Sequence, residues 1–125
     1  MPTKLSILAE GRDGIEILSV AGEVDMSTAP RLAQAIDRAI SPEGSLIADL
    51  SEVAFIDSAG ARALVLAEAA AADRGAALLI VPSEAVARVL EVAGLESGFR
   101  LCAGLSEAVA AARGVTGAAG RSVAG

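Results

Sequence analysis

Two short runs, "SLIADL" (residues 45–50) and "AALLIV" (76–81), constrain the fold more than any other feature of the chain. Each carries apolar residues at neighbouring positions, where a strand with one wet face would alternate, so each reads as a strand covered on both sides. Strands of that kind are parallel and need helices to cross between them. The surrounding segments have the matching periodicity. "STAPRLAQAIDRAIS" repeats Leu32, Ile36 and Ile40 every four positions, with Arg31, Asp37 and Arg38 off that stripe. Ser27 or Thr28 offers a cap there and Pro30 suits a first turn. "AGARALVLAEAAAADRG" is rich in helix formers and ends at Gly75, a natural left-handed cap. "PSEAVARVLEVAG" has Ser83 as cap, Val86, Val89 and Leu90 as apolar face, and Gly94 as stop.

Upstream, "KLSILAE" and "GIEILSVAGEVD" alternate apolar and polar residues around a turn-forming segment, Gly11 to Gly14, and predict a hairpin. "FRLC" reads as a last strand and "LSEAVAAARG" as a last helix, capped by Ser106 and closed by Gly114. The residues after it lack periodicity, so the expectation is one domain over 1–113 and a mobile tail over 114–125. Crossovers between parallel strands are right-handed, which makes this an α/β fold: a single domain with a mostly parallel mixed β-sheet of about five strands and about four α-helices. The first strand should lie antiparallel at one side. Ligands and modified groups gather at the carboxyl ends of strands in such sheets, where "FIDSAGARAL" (55–64) places Asp57 and Ser58.

Composition narrows the chemistry. A chain of 125 residues suffices for one core. Its net charge of -6 repels nucleic-acid backbones, and two phenylalanines as the only aromatics leave no platform for stacking bases, so no nucleic acid is expected as partner. The opening "MPTKLSILAE" lacks the pattern of a secretory signal, and no window approaches the roughly 20 apolar residues of a membrane span. A cytoplasmic protein is expected. The lone Cys102 agrees with a reducing compartment and reads as a small buried hydrophobe. No histidine occurs, which removes the usual general base and the commonest metal ligand. Neither a catalytic residue, a metal nor a cofactor is therefore expected.

Three readings of Asp57 and Ser58 follow from the residues alone. Asp, Ser and Gly at a helix start are what capping would select, worth about 1 kcal/mol. A serine nucleophile would have one of the two glycines of a nucleophile elbow and no base except Lys4, the only lysine. A phosphate-accepting Asp57 would need an acidic pair after the first strand and a late lysine, and neither is present.

Beyond these, "GEVDMSTAPRLAQAI", "LIADLSEVAFIDSAGARALV" and "LLIVPSEAVARVLEVAGLESGF" resemble, in order and spacing, the STAS domain of bacterial anti-sigma factor antagonists. The resemblance covers Leu5 to Arg113 and is most specific from Asp49 to Gly60. One departure is Ala61, where a larger aliphatic residue often follows the glycine.

The resemblance implies a binding module, not an enzyme. Proteins of this kind bind an anti-sigma factor that is also a serine kinase, freeing a sigma factor for transcription, and are inactivated when that kinase phosphorylates the serine of the DS pair, here Ser58. It further implies a partner surface formed by Asp25, Ser27, Thr28, Asp57, Ser58, Ala59, Gly60 and Arg62. The alternative is a non-enzymatic STAS scaffold subunit of a stress-sensing or lipid or anion transport complex.

Overall fold

The computed structural model describes the backbone of residues 4–121 and the side chains of residues 4–114. Strands β1 (Leu5–Arg12) and β2 (Ile15–Val24) form the expected antiparallel hairpin. Asp13 and Gly14 connect them with φ of 53° and 81°, the two left-handed residues of a type I′ turn, whose twist matches that of the strands it joins. Helix α1 (Ala29–Ala39), strand β3 (Ser45–Ile56), helix α2 (Ser58–Asp73), strand β4 (Ala77–Pro82), helix α3 (Glu84–Val92), strand β5 (Arg100–Leu101) and helix α4 (Leu105–Arg121) follow. The sheet order is β1-β2-β3-β4-β5, with all pairs after the first parallel.

Side-chain alternation along the strands sorts the interior into two cores. Leu18, Val20, Leu46, Ala48, Leu50, Leu78 and Ile80 point to one face, where they meet Leu32, Ile36, Leu64, Val86 and Leu90 of α1, α2 and α3. Ile15, Ile17, Ile47, Leu79 and Val81 point to the other and meet Ala108 and Ala112 of α4. The asymmetry has a topological cause. Successive neighbouring strands joined by crossovers of one hand put every crossing helix on the same side. Only α4, which follows the last strand, is free to cover the opposite face. Cys102 is buried in that second core.

Four boundaries differ from the sequence expectation. Strand β3 runs to Ile56, well past "SLIADL". Its pairing with β2 skips a residue twice: Ser19 faces Asp49 but Ala21 faces Glu52, and Gly22 faces Val53 but Glu23 faces Phe55. Each skip is a bulge that resets the alternation. The buried positions therefore change from every second residue (Leu46, Ala48, Leu50) to every third (Val53, Ile56), and Phe55 is left 49% exposed. Strand β5 keeps only two residues of "FRLC". Ser106 lies inside the first turn of α4, not before it, and the helix continues through Gly114 to Arg121. Gly inside a helix costs about 1 kcal/mol and is tolerated. The tail expected over 114–125 thus falls partly on α4, and its last residues, 122–125, lie outside those described.

Candidate functional site

Strands β2 and β3 end side by side. Val24 pairs with Ile56, and the Asp57 N–H donates to the Val24 carbonyl at 3.1 Å. Asp25 and Asp57 therefore leave the same end of two adjacent parallel strands, one into the loop before α1 and the other into α2.

Asp57 is the N-cap of α2. Its Oδ1 accepts from the backbone N–H of Ala59 at 2.9 Å and of Gly60 at 3.2 Å, filling two of the donors that a helix start leaves free. Ser58 follows as the first helical residue. It is exposed, and its hydroxyl has no hydrogen-bond partner among the described residues. Two residues on, Gly60 is buried where the helix presses on the strand ends. A Cβ there would stand 2.5 Å from Ile56 Cγ1 and 2.8 Å from Val24 Cγ1. Contacts that short force something to move, so glycine is what lets α2 sit close enough to present Ser58 directly above the ends of β2 and β3.

The neighbouring loop is tied down by Asp25. Its Oδ1 accepts from the Ser27 hydroxyl at 2.7 Å, from the Ser27 N–H at 2.9 Å and from the Thr28 N–H at 3.2 Å. Its Oδ2 pairs with Lys4 Nζ. The Lys4 contact, then the Ser27 hydroxyl, hold the Asp25 carboxyl well below the usual carboxylate range. Lys4 is pushed upward in return, chiefly by that hydrogen bond, with smaller contributions from the negative fields of Asp25, Glu23 and Asp57. Thr28 occupies the N-cap position of α1 without capping it. Its buried hydroxyl instead donates to the Glu23 carbonyl at 2.8 Å and accepts from the Asp25 N–H at 2.9 Å, bracing the loop.

Beyond Ser58, the surface falls into a groove of about 830 Å³ between α2 and α3. Asp57, Ser58, Ala59 and Arg62 line it from α2 and its cap; Arg88, Val89, Val92 and Leu95 line it from the α3 side. Val65 and Val92 are 39% and 81% exposed, so this is an apolar channel open to water. Of the eight residues expected to form one partner surface, these first four share the groove. Gly60 and Thr28 are buried, while Asp25 and Ser27 are bonded to each other in the adjoining loop. Val89 packs partly against the core, as its helical spacing predicts, and also lines the groove, whereas Arg88 carries no signal in the sequence. The available clue was that "EAVARVLEV" has more apolar positions than one core stripe needs, with Val92 off the Val86/Leu90 line. Among the described residues, no helix is long and apolar enough to cross a membrane.

Comparison with known proteins identifies the family and the fold. A family model described as "STAS domain" matches residues 6–108. The anti-sigma-F factor antagonist RsfB of Mycobacterium tuberculosis is 27% identical over 114 residues, spanning 90% of this chain and 93% of that protein. The crystal structure of an anti-sigma factor antagonist from Mycobacterium paratuberculosis superimposes with a TM-score of 0.75 at 33% identity, covering 87% of this chain and 94% of that one. The same fold recurs in the murine anion transporter Slc26a9, with a TM-score of 0.71 at 19% identity, where it accounts for 22% of that chain. At that identity the likeness is one of fold, and a shared fold does not carry a shared function.

Proposed function

Because the chain belongs to the STAS domain family, we propose that it is an anti-sigma factor antagonist. It binds an anti-sigma factor that is a serine kinase, so that a sigma factor is freed, and it is switched off by phosphorylation of Ser58. In this reading the chain is a binding module and a substrate, with no catalytic residue of its own. The partner surface comprises the groove-lining Asp57, Ser58, Ala59 and Arg62 with the loop residues Asp25, Ser27 and Thr28, and Gly60 sets the helix height.

The observation that carries the reading is the division of labour between two neighbours. Capping accounts for Asp57, whose carboxylate takes both backbone donors, and it leaves the Ser58 hydroxyl without a structural task. An exposed hydroxyl with no internal partner is what a kinase needs in order to reach its acceptor. Transfer forms the bond from Ser58 Oγ to the phosphorus of ATP as the bond to ADP breaks, and the hydroxyl proton passes to a base on the kinase. The product carries about -1.5 to -2 charges on a face that must meet the partner. At about 7 Å from one acid on that partner, and an effective dielectric near 20, each charge pair costs about 2 kcal/mol. Two such units exceed a hundredfold in affinity. The helix start tolerates the added anion, so the switch requires no refolding.

The test is a pull-down with wild-type, Ser58→Ala and Ser58→Asp forms, followed by mass spectrometry of what is bound. The alanine form should retain an anti-sigma factor kinase and escape inactivation by ATP, while the aspartate form should recover it poorly. Equal recovery of one partner by all three forms would defeat the switch and favour the scaffold reading.

A further inference from the structure

The groove contains two cations without a bonded partner among the described residues. Arg62 lies four residues after Ser58 on α2, and Arg88 lines the same groove from α3. Positions i and i+4 of a helix stand one above the other, about 5–6 Å apart at Cβ, and helical side chains lean toward the amino end. From that position the Arg62 guanidinium can reach back along the helix to Ser58. Lys4, Arg12, Arg74 and Arg113 each pair with a carboxylate. Arg62 and Arg88 form neither an ion pair nor a hydrogen bond among the described residues. Among the described residues Asp57 is the one carboxylate on the groove wall, and its Oδ1 is already engaged by the Ala59 and Gly60 N–H groups. Glu84 and Glu91 flank Arg88 on α3 without coming within ion-pair distance of it.

On the premise that Ser58 is phosphorylated, as argued above, we propose that Arg62 and Arg88 form a phosphomonoester-binding site whose ligand is the phosphate on Ser58. A guanidinium offers a planar fork of donors that fits phosphate oxygens two at a time. Two of them, one from each wall, match the roughly two negative charges of a phosphoserine. Held in this way, the phosphate lies across the mouth of the groove. Inactivation then has a second component besides repulsion: the modified serine fills the channel and withdraws Arg62 from any partner.

The experiment uses the full chain with phosphoserine installed at position 58 by nonsense suppression, so that no kinase is needed. Phosphorus NMR then follows the second ionisation of the phosphate. With both arginines present, its pKa should fall by about one unit below that of the urea-unfolded chain, since nearby opposite charges favour the dianion. Arg62→Ala/Arg88→Ala should remove most of that difference, with each single variant between. The helix start is common to all forms, so the comparison isolates the arginines. Identical values in all four forms would overturn the proposal. Should the double variant not fold by circular dichroism, nitrogen NMR of the native arginines decides: the Nε signals of both Arg62 and Arg88 should move on phosphorylation, and unmoved signals overturn it. The same phosphorylated protein, used in the pull-down, separates the two readings. Loss of the kinase without engaged arginines rejects this site and leaves the antagonist. Engaged arginines with the kinase retained reject the switch and leave the site.

Discussion

Asp57 and Ser58 are adjacent polar residues at one helix start, and the structure gives them different roles. The Asp57 carboxylate bridges two backbone donors, whereas the Ser58 hydroxyl has no hydrogen-bond partner among the described residues. Their stability effects should therefore diverge. Asp57→Ala should cost about 1 kcal/mol, the usual value of a lost N-cap. Ser58→Ala should stay within about 0.5 kcal/mol, as for surface positions without a structural partner. Urea unfolding of the two variants measures both, and a comparable loss in each would mean that the serine is also a cap. The sequence alone left these two tasks undivided, because capping and phosphate acceptance select the same residue types at the same place.

At the scale of elements, the site depends on how closely α2 approaches the ends of β2 and β3. Gly60 sets that distance, since a methyl group there would sit 2.5 Å from Ile56 and 2.8 Å from Val24. Gly60→Ala gains helix propensity and nevertheless should destabilise the domain by about 1–3 kcal/mol, the range for overpacking a close contact. A thermal-unfolding midpoint at or above that of the wild type would show that the helix can lift without cost. Helices α1 and α3 were legible because Leu32 and Ile36, and Val86 and Leu90, recur at helical spacing. The second half of β3 was not, because two bulges break the alternation by which a strand is recognised and make "SEVAFI" resemble a loop. The seam at Asp57 was legible from its residues. Its opposite wall was not: Arg88 and Val92 are some thirty positions away, and only the tertiary packing of α3 beside α2 brings them to it.

At the scale of the whole molecule, the sheet is unevenly supported. Residues 45–50 of β3 are held between β2 and β4, while the rest of β3 pairs with β2 alone and β5 contributes two residues. Amide hydrogen exchange should follow that gradient. The inner half of β3 should exchange only through global unfolding. The amides of 53–56 and of β5 should open at least about tenfold more often, a difference of about 1.4 kcal/mol. Uniform protection along β3 would contradict it. The overall architecture was legible from the sequence because alternating strand and helix signals, with a fixed crossover hand, leave few arrangements open.

The separate position of α4 has a consequence for how the protein is made. Ile15, Ile17, Ile47, Leu79 and Val81 have their cover in a helix that follows every strand in chain order. A nascent chain can assemble β1 to β4 with α1 and α2 before α4 has left the ribosome, and during that interval one side of the sheet is bare and prone to stick. Synthesis of the last helix therefore decides when the newborn domain becomes safe from its neighbours.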